Sequence, residues 1–195
     1  PADPRDPAGA LRPGVVHRID KGTSGLLVVA KDEATREGLK RLLSQHDVER
    51  EYRALTLGVP PPGRIETLHG RDPRSRLRFT TKLREGRRAV THLAVLERLA
   101  GGRAGYVACR LETGRTHQIR VHLAECAKTP ILADALYGRR SVDPELVAIE
   151  GRLERQALHA LSLGFVHPIS GERLRFESPL PADLQTALEA LRSLR

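Results

Sequence analysis

The sequence predicts an α+β domain, a largely antiparallel mixed sheet flanked by helices. Three observations predict it. Strand-like segments outnumber helical ones. Most of those strands follow one another across short turns, which a doubly wound parallel sheet does not allow. The 195 residues, 39% hydrophobic and 29% charged, suit one soluble folded domain rather than a disordered chain.

In chain order, residues 1–11 are rich in Pro, Asp and Gly and read as a flexible lead-in or a truncated N-terminus, with the folded domain over 12–195. Gly25–Ala30 is a short apolar run and is expected to be a buried strand. Asp32 is placed to cap a helix that ends near His46, with Leu39, Leu42 and Leu43 on one face. Glu51–Val59 reads as a strand closed by the turn Pro60-Pro61-Pro62-Gly63. Further strands are expected around Arg64–Leu68, Leu77–Lys82, Ala89–Leu96 and Tyr106–Leu111. In the last, Val107, Cys109 and Leu111 alternate with Ala108 and Arg110, as a half-buried strand requires. Thr116 is placed to cap a second helix, with Ile119, Leu123 and Cys126 sharing a face. A strand over Leu158–Val166, a turn over Ile169–Arg173 and a returning strand over Leu174–Glu177 follow. A final helix points Leu184, Leu188 and Leu191 inward.

Composition narrows the partners. The net charge is +9, carried mostly by arginine, whose planar fork of donors matches phosphate. Codon bias toward arginine would give the same excess, so charge alone makes nucleic acid a fair expectation and no more. No apolar run reaches the roughly 20 residues of a membrane span. Cys109 and Cys126 form no CxxC, are expected to be small buried hydrophobes, and suit a cytoplasmic protein.

Three clusters carry candidate chemistry. In His17-Arg18-Ile19-Asp20-Lys21-Gly22-Thr23-Ser24-Gly25 one acid stands between two cations and small residues. Nearby opposite charges favour the ionised carboxylate, which is then available as a nucleophile. A turn aspartate in an ordinary ion pair would look alike. Ser24 lacks the G-x-S-x-G elbow of a serine hydrolase. The second cluster, Gly114-Arg115-Thr116-His117-Gln118-Ile119-Arg120-Val121-His122, opens a helix after a strand, where free N–H groups and arginine forks attract phosphate. His117 and His122, five apart, are poorly spaced to share a metal, and no metal site is expected. The third, Glu49-Arg50-Glu51-Tyr52-Arg53-Ala54, sets a tyrosine in a strand, either as a core aromatic or as a phenol that stacks on a base. Gly70-Arg71-Asp72-Pro73-Arg74-Ser75-Arg76 is a basic loop suited to phosphate.

In their order and spacing these clusters resemble the RluA-type pseudouridine synthases. Ala89-Val90-Thr91-His92, Ala133-Asp134-Ala135-Leu136-Tyr137-Gly138 and Arg155-Gln156-Ala157-Leu158-His159 extend the likeness. The resemblance implies the pseudouridine synthase fold and isomerisation of uridine without a cofactor. It implies Asp20, Tyr52 and Arg120 as catalytic groups, with Arg120 paired to Asp20. Asp20 would either attack C1′ or take the proton at C2′. Arg18 would displace the flipped nucleotide, Leu158 would form a hydrophobic wall, and Arg71, Arg74, Arg115, Thr116, His117 and Gln118 would bind substrate. The implied partner is RNA, with 23S ribosomal RNA or pre-ribosomal particles as the expected source, and the chain is expected to act as a monomer. Two departures stand out. The Lys-Pro-x-Gly motif and the S4-type RNA-binding domain found in many members are not in this sequence, and Ala133 stands where glycine is usual.

Two rival readings differ in class. A non-catalytic RNA-binding module on the same fold would carry the same charge but has no need of the Asp20, Tyr52 and Arg120 set; a transfer-RNA-directed synthase would differ only in substrate. A glycosidase needs two carboxylates at fixed separation, and here one acid has a convincing setting.

Overall fold

The computed structural model describes residues 14–139 and 141–195, so the expected lead-in over 1–11 lies outside them. In chain order come β1 (Ser24–Gly25), α1 (Glu33–Gln45), β2 (Glu49–Leu57), β3 (Gly63–Arg71), β4 (Phe79–Thr80), β5 (Arg87–Leu99) and β6 (Ala104–Leu111). Then follow α2 (Gln118–Val121), a π-helical turn (His122–Cys126), α3 (Pro144–Glu150), β7 (Leu158–Val166), β8 (Arg173–Glu177) and α4 (Ala182–Ser193). Among the described residues the strands make one eight-stranded sheet in the order β1-β7-β2-β6-β5-β3-β4, with β8 also on β7. The β1–β7 pair is parallel and the other pairs are antiparallel. This is the α+β mixed sheet that the sequence predicts.

β7 shares one edge between two neighbours: β1 pairs with His159 and Ala160, and β8 pairs with Ser162 to Val166. Its other edge pairs with β2, where the register shifts between Glu51 and Tyr52. Such a bulge bends a strand and re-aims its side chains, often beside a site. The main core gathers Leu55, Leu57, Val107, Leu123, Leu132 and Leu158 from the sheet and its loops, and α4 closes it with Leu184, Leu188 and Leu191. A smaller core joins Leu39 of α1 to Val48, Leu163 and Phe165. α1 begins as expected: the Asp32 carboxylate accepts the Thr35 N–H at 2.8 Å, and left-handed His46 ends it.

Several expectations fail locally, each for a physical reason. The Gly25–Ala30 run is not a buried strand. Only Ser24 and Gly25 pair with β7, Val29 bridges Val15, and Leu27 and Val29 are 42% and 50% exposed. Of the run, Ala30 is buried in the small core, and Leu26 and Val28 pack against it half-buried. The strand expected over Leu77–Lys82 shrinks to two residues. Thr116 does not cap α2. His117 intervenes in the left-handed region at φ 59°, and α2 has no side-chain cap. Cys126 is exposed, because the π-helical turn widens the spiral and swings it off the buried face, while Cys109 is buried as expected. α3 went unread. Asp143 caps it and Pro144 opens it, a pattern that favours a helix start.

Candidate active site

A cleft of about 640 Å³ opens beside β2, between the loop preceding β1 and the segment leading into α2. Asp20 lines it. The Asp20 carbonyl accepts the Thr23 N–H at 2.9 Å, closing a turn in which Gly22 takes φ 84°. Partners from far along the chain fix that turn. Gln156 Nε2 donates to the Lys21 carbonyl at 2.8 Å, and Arg155 donates to the Gly22 carbonyl at 3.0 Å. Upstream, His17 Nε2 accepts the Val28 N–H at 3.0 Å. Burial, helped by the Arg50 charge, pushes His17 down to about 4, so it stays a neutral acceptor. Ser24 is no nucleophile here. Its hydroxyl donates to His159 Nδ1 at 2.9 Å, and His159 Nε2–H donates to the Ser178 carbonyl at 3.0 Å.

Arg120 reaches Asp20 from α2 at 3.5 Å, with the two side chains 5% and 15% exposed. Its stronger bond is to Asp134, a two-pronged pair at 2.7 Å on each arm. The Asp134 side chain is fully buried and also accepts the Leu136 and Tyr137 N–H groups. Burial works against the Arg120 charge, but Asp134 and Asp20 outweigh it and raise its basicity. Asp134 therefore holds the guanidinium, and one Nη is left to face Asp20. The Arg120 guanidinium also lies over the Tyr137 ring, 5.1 Å from its centre. The Tyr137 hydroxyl accepts the Phe79 N–H and pairs with His117 Nδ1, each at 2.8 Å.

Tyr52 faces the cleft from β2, just past the bulge. Burial pushes its phenol up to about 12, Arg50 opposing and Asp20 adding to the rise, so it is protonated at neutral pH. Gln118 shapes the opposite wall. Its amide oxygen accepts from the Thr113 hydroxyl and the Arg115 N–H, and its nitrogen donates to the Val90 carbonyl and to Thr91.

A family model described as RNA pseudouridylate synthase matches residues 2–125 of this chain. The chain belongs to that family. Among curated pseudouridine synthases it is 48% identical over 185 residues to ribosomal large subunit pseudouridine synthase D of Neisseria meningitidis serogroup B, covering 93% of this chain and 49% of that protein. It is 43% identical over 210 residues to RNA pseudouridine synthase 2, chloroplastic, of Arabidopsis thaliana, covering 97% and 49%. The chain thus spans about half the length of these relatives. The solved structure of human RNA pseudouridylate synthase domain containing 4 shares the fold, with TM-score 0.75 and 24% identity over 95% of this chain and 80% of that one. Human RNA pseudouridylate synthase domain containing 1 gives TM-score 0.68 and 27% identity over 95% and 83%.

Set against the residues that the pseudouridine synthase resemblance singles out, the cleft gathers most of them. Arg18, Asp20, Tyr52, Arg115, Thr116, His117, Gln118 and Leu158 line it, and Arg120 touches Asp20. Arg71 and Arg74 do not line it. They sit exposed where β3 runs into the loop before β4, and the Arg71 guanidinium lies 5.2 Å above the Phe79 ring. Gln118 reaches the cleft wall with its amide wholly engaged in the scaffold. α2 has only four residues before the π-helical turn, so arginine side chains rather than a long helix end supply the positive charge. Sequence reasoning missed the anchoring role of Asp134 and Gln156, although both stand inside the quoted motifs. It also missed Arg50, which lines the cleft beside Tyr52. Next to Asp134, Ala133 takes φ 57°, a conformation glycine adopts without strain.

Proposed function

We propose that this chain is an RNA pseudouridine synthase that isomerises uridine in structured RNA, with large-subunit ribosomal RNA as its substrate class. The observation that carries the reading is the convergence of three distant segments: Asp20 and Tyr52 line one cleft, and buried Arg120 meets Asp20 at 3.5 Å. A module that only bound RNA would have no use for a carboxylate held in its groove against a buried arginine. The relatives named as ribosomal large subunit pseudouridine synthase D support the substrate class.

The chemistry is internally balanced. The N1–C1′ bond breaks, the uracil turns, C5 bonds to C1′, a proton leaves C5 and N1 gains one. No electron leaves or enters, so no redox cofactor is called for. Asp20 acts as a carboxylate, whether at C1′ or on the C2′ proton, and Arg120 keeps it aimed. Tyr52, as a neutral phenol, packs on the uracil and passes a proton only by giving up its own. Leu158 supplies the apolar wall. The cleft volume falls in the range of about 300–1,000 Å³ that takes a small ligand. The uridine must therefore leave its stack to enter, and Arg18 at the rim fills the space behind it. One chain supplies every group named, consistent with a monomer. The unpaired thiols suit the cytoplasm, and no helix of the described residues is long and apolar enough to cross a membrane.

The test is pseudouridine mapping after incubation of ribosomal and transfer RNA transcripts with the chain. New pseudouridine in the large-subunit RNA supports the reading. Absence from every transcript at enzyme excess overturns it.

A further inference from the structure

Arg50 stands two residues before Tyr52 on β2, and the two-residue period of a strand turns both toward the same face. It lines the cleft, yet it is only 6% exposed. Nη2 donates to the Glu112 carbonyl at 3.1 Å, while buried Nε has no acceptor. Arg50 forms no ion pair among the described residues, and Asp20, the only acid they contribute to the cleft lining, is met by Arg120. A buried charge in this condition is costly until a counter-charge arrives. The backbone is built around it. A Cβ on Gly114 would lie 2.5 Å from Arg50 Nη1, so glycine is what lets the guanidinium rest there. Arg115 follows immediately, lines the same cleft and likewise forms no ion pair among the described residues. Its Nε donates to the Arg88 carbonyl at 3.0 Å, which leaves the rest of its fork free. Burial lowers the basicity of Arg50, and the Arg115 charge lowers it further, although the nearby phenol of Tyr52 opposes this.

We propose that Arg50 and Arg115 form a partly buried anion subsite that takes a phosphodiester group next to the flipped uridine. Two adjacent guanidinium groups fit phosphate oxygens in charge and in donor geometry. A uracil carbonyl would accept one hydrogen bond and leave both charges uncompensated. This inference rests on the synthase reading for the identity of the nucleotide. It adds a group that orients the ribose with respect to Asp20.

Two measurements test it without requiring turnover. In the first, the side-chain Nε–H signal of Arg50 in the wild-type protein is followed by NMR, assigned by its loss in Arg50→Lys, during titration with uridine 3′,5′-bisphosphate or uridine. The bisphosphate should shift the signal at concentrations where uridine leaves it in place. An unmoved signal, or an equal shift with uridine, overturns the subsite. In the second, binding of oligouridylate is measured across salt concentrations. Arg50→Met should flatten the slope of log affinity against log salt by about 0.7, the value for one phosphate contact on a single strand, and Arg50→Lys should keep it. An unchanged slope in folded Arg50→Met overturns the proposal. If pseudouridine mapping fails while the bisphosphate still shifts Arg50, the anion subsite stands and the enzymatic reading falls. If mapping succeeds and Arg50 does not respond, only this inference falls.

Discussion

Arg120 and Arg74 are the same kind of side chain under opposite conditions. Arg120 is buried, clamped by Asp134 on two arms, stacked on Tyr137 and left one Nη for Asp20. Arg74 is exposed on the loop between β3 and β4, where only its backbone N–H is tied, to Asp72 at 2.9 Å. Charge at the cleft floor is fixed in place by partners that are themselves buried. Charge on the loop is free to follow a phosphate. The first arrangement suits an interaction that must be aimed at one atom, the second one that only has to attract a strand. Substitutions on the two sides should therefore fail in different ways.

The largest effect is expected at Asp20. Asp20→Asn keeps the shape and removes the ionised oxygen. Pseudouridine formation should fall below detection while RNA affinity stays within a few-fold. A variant that still turns over would break the assignment of the floor as the reacting side. Next comes the clamp. Arg120→Met strips Asp134 of its cation inside the protein, which typically costs about 3–5 kcal/mol. Replacing both, as Arg120→Met with Asp134→Leu, removes the orphan charge and should recover most of that stability while the protein remains inactive. Chemical denaturation and a turnover assay on the same samples separate the two. Equal stability of the single and double variants would show that the clamp is not what holds Arg120.

A smaller, graded effect should appear with pH. Burial holds both His17 and His122 at about 4, with Arg50 adding to the effect at His17 and His69 at His122. The unfolded imidazoles protonate near 6.5, so stability from these sites is complete above that pH. It drains away as pH falls toward 4, at up to about 1.4 kcal/mol per pH unit for each histidine. A melting temperature that does not move between pH 7 and pH 5 would contradict this. The smallest change is expected on the loop. Arg74→Ala should alter stability by no more than about 0.5 kcal/mol and flatten the salt dependence of RNA binding by about 0.7 in slope. Turnover per bound complex should be unchanged. Salt-independent affinity in the wild type would remove the contrast altogether.

Much of this contrast is legible in the sequence. Asp20 and its neighbours form one local run, and the alternation in β6 or the leucine spacing in α4 reports burial directly. What escaped depended on distant partners or on single dihedral angles. Nothing near Asp134 says that it will meet Arg120, although a buried guanidinium demands a buried carboxylate somewhere. Arg50 was within reach, since its offset of two from Tyr52 places both on one face of a strand. The left-handed turn at His117 and the π-helical turn at Cys126 leave no periodic trace, so a regular helix was the natural and mistaken expectation for Thr116 and Cys126. The exposed Leu27 and Val29 show the limit of an apolar run, which says that residues are greasy but not which neighbours arrive to cover them.

The bonds from Gln156 and His159 to the Asp20 turn span about 135 residues of chain, from Lys21 to Gln156 and from Ser24 to His159. During synthesis a ribosome must therefore extrude the chain through His159 before both bonds can form. β3, β5 and β6 have all their pairing partners by residue 111, and β2 lacks only β7, so most of the sheet can assemble while the aspartate loop still lacks its anchors. Contacts of such long range are late and slow to close. A product ending before β7 would thus carry the exposed arginines of the loop before β4 without the long-range bonds that anchor the Asp20 turn.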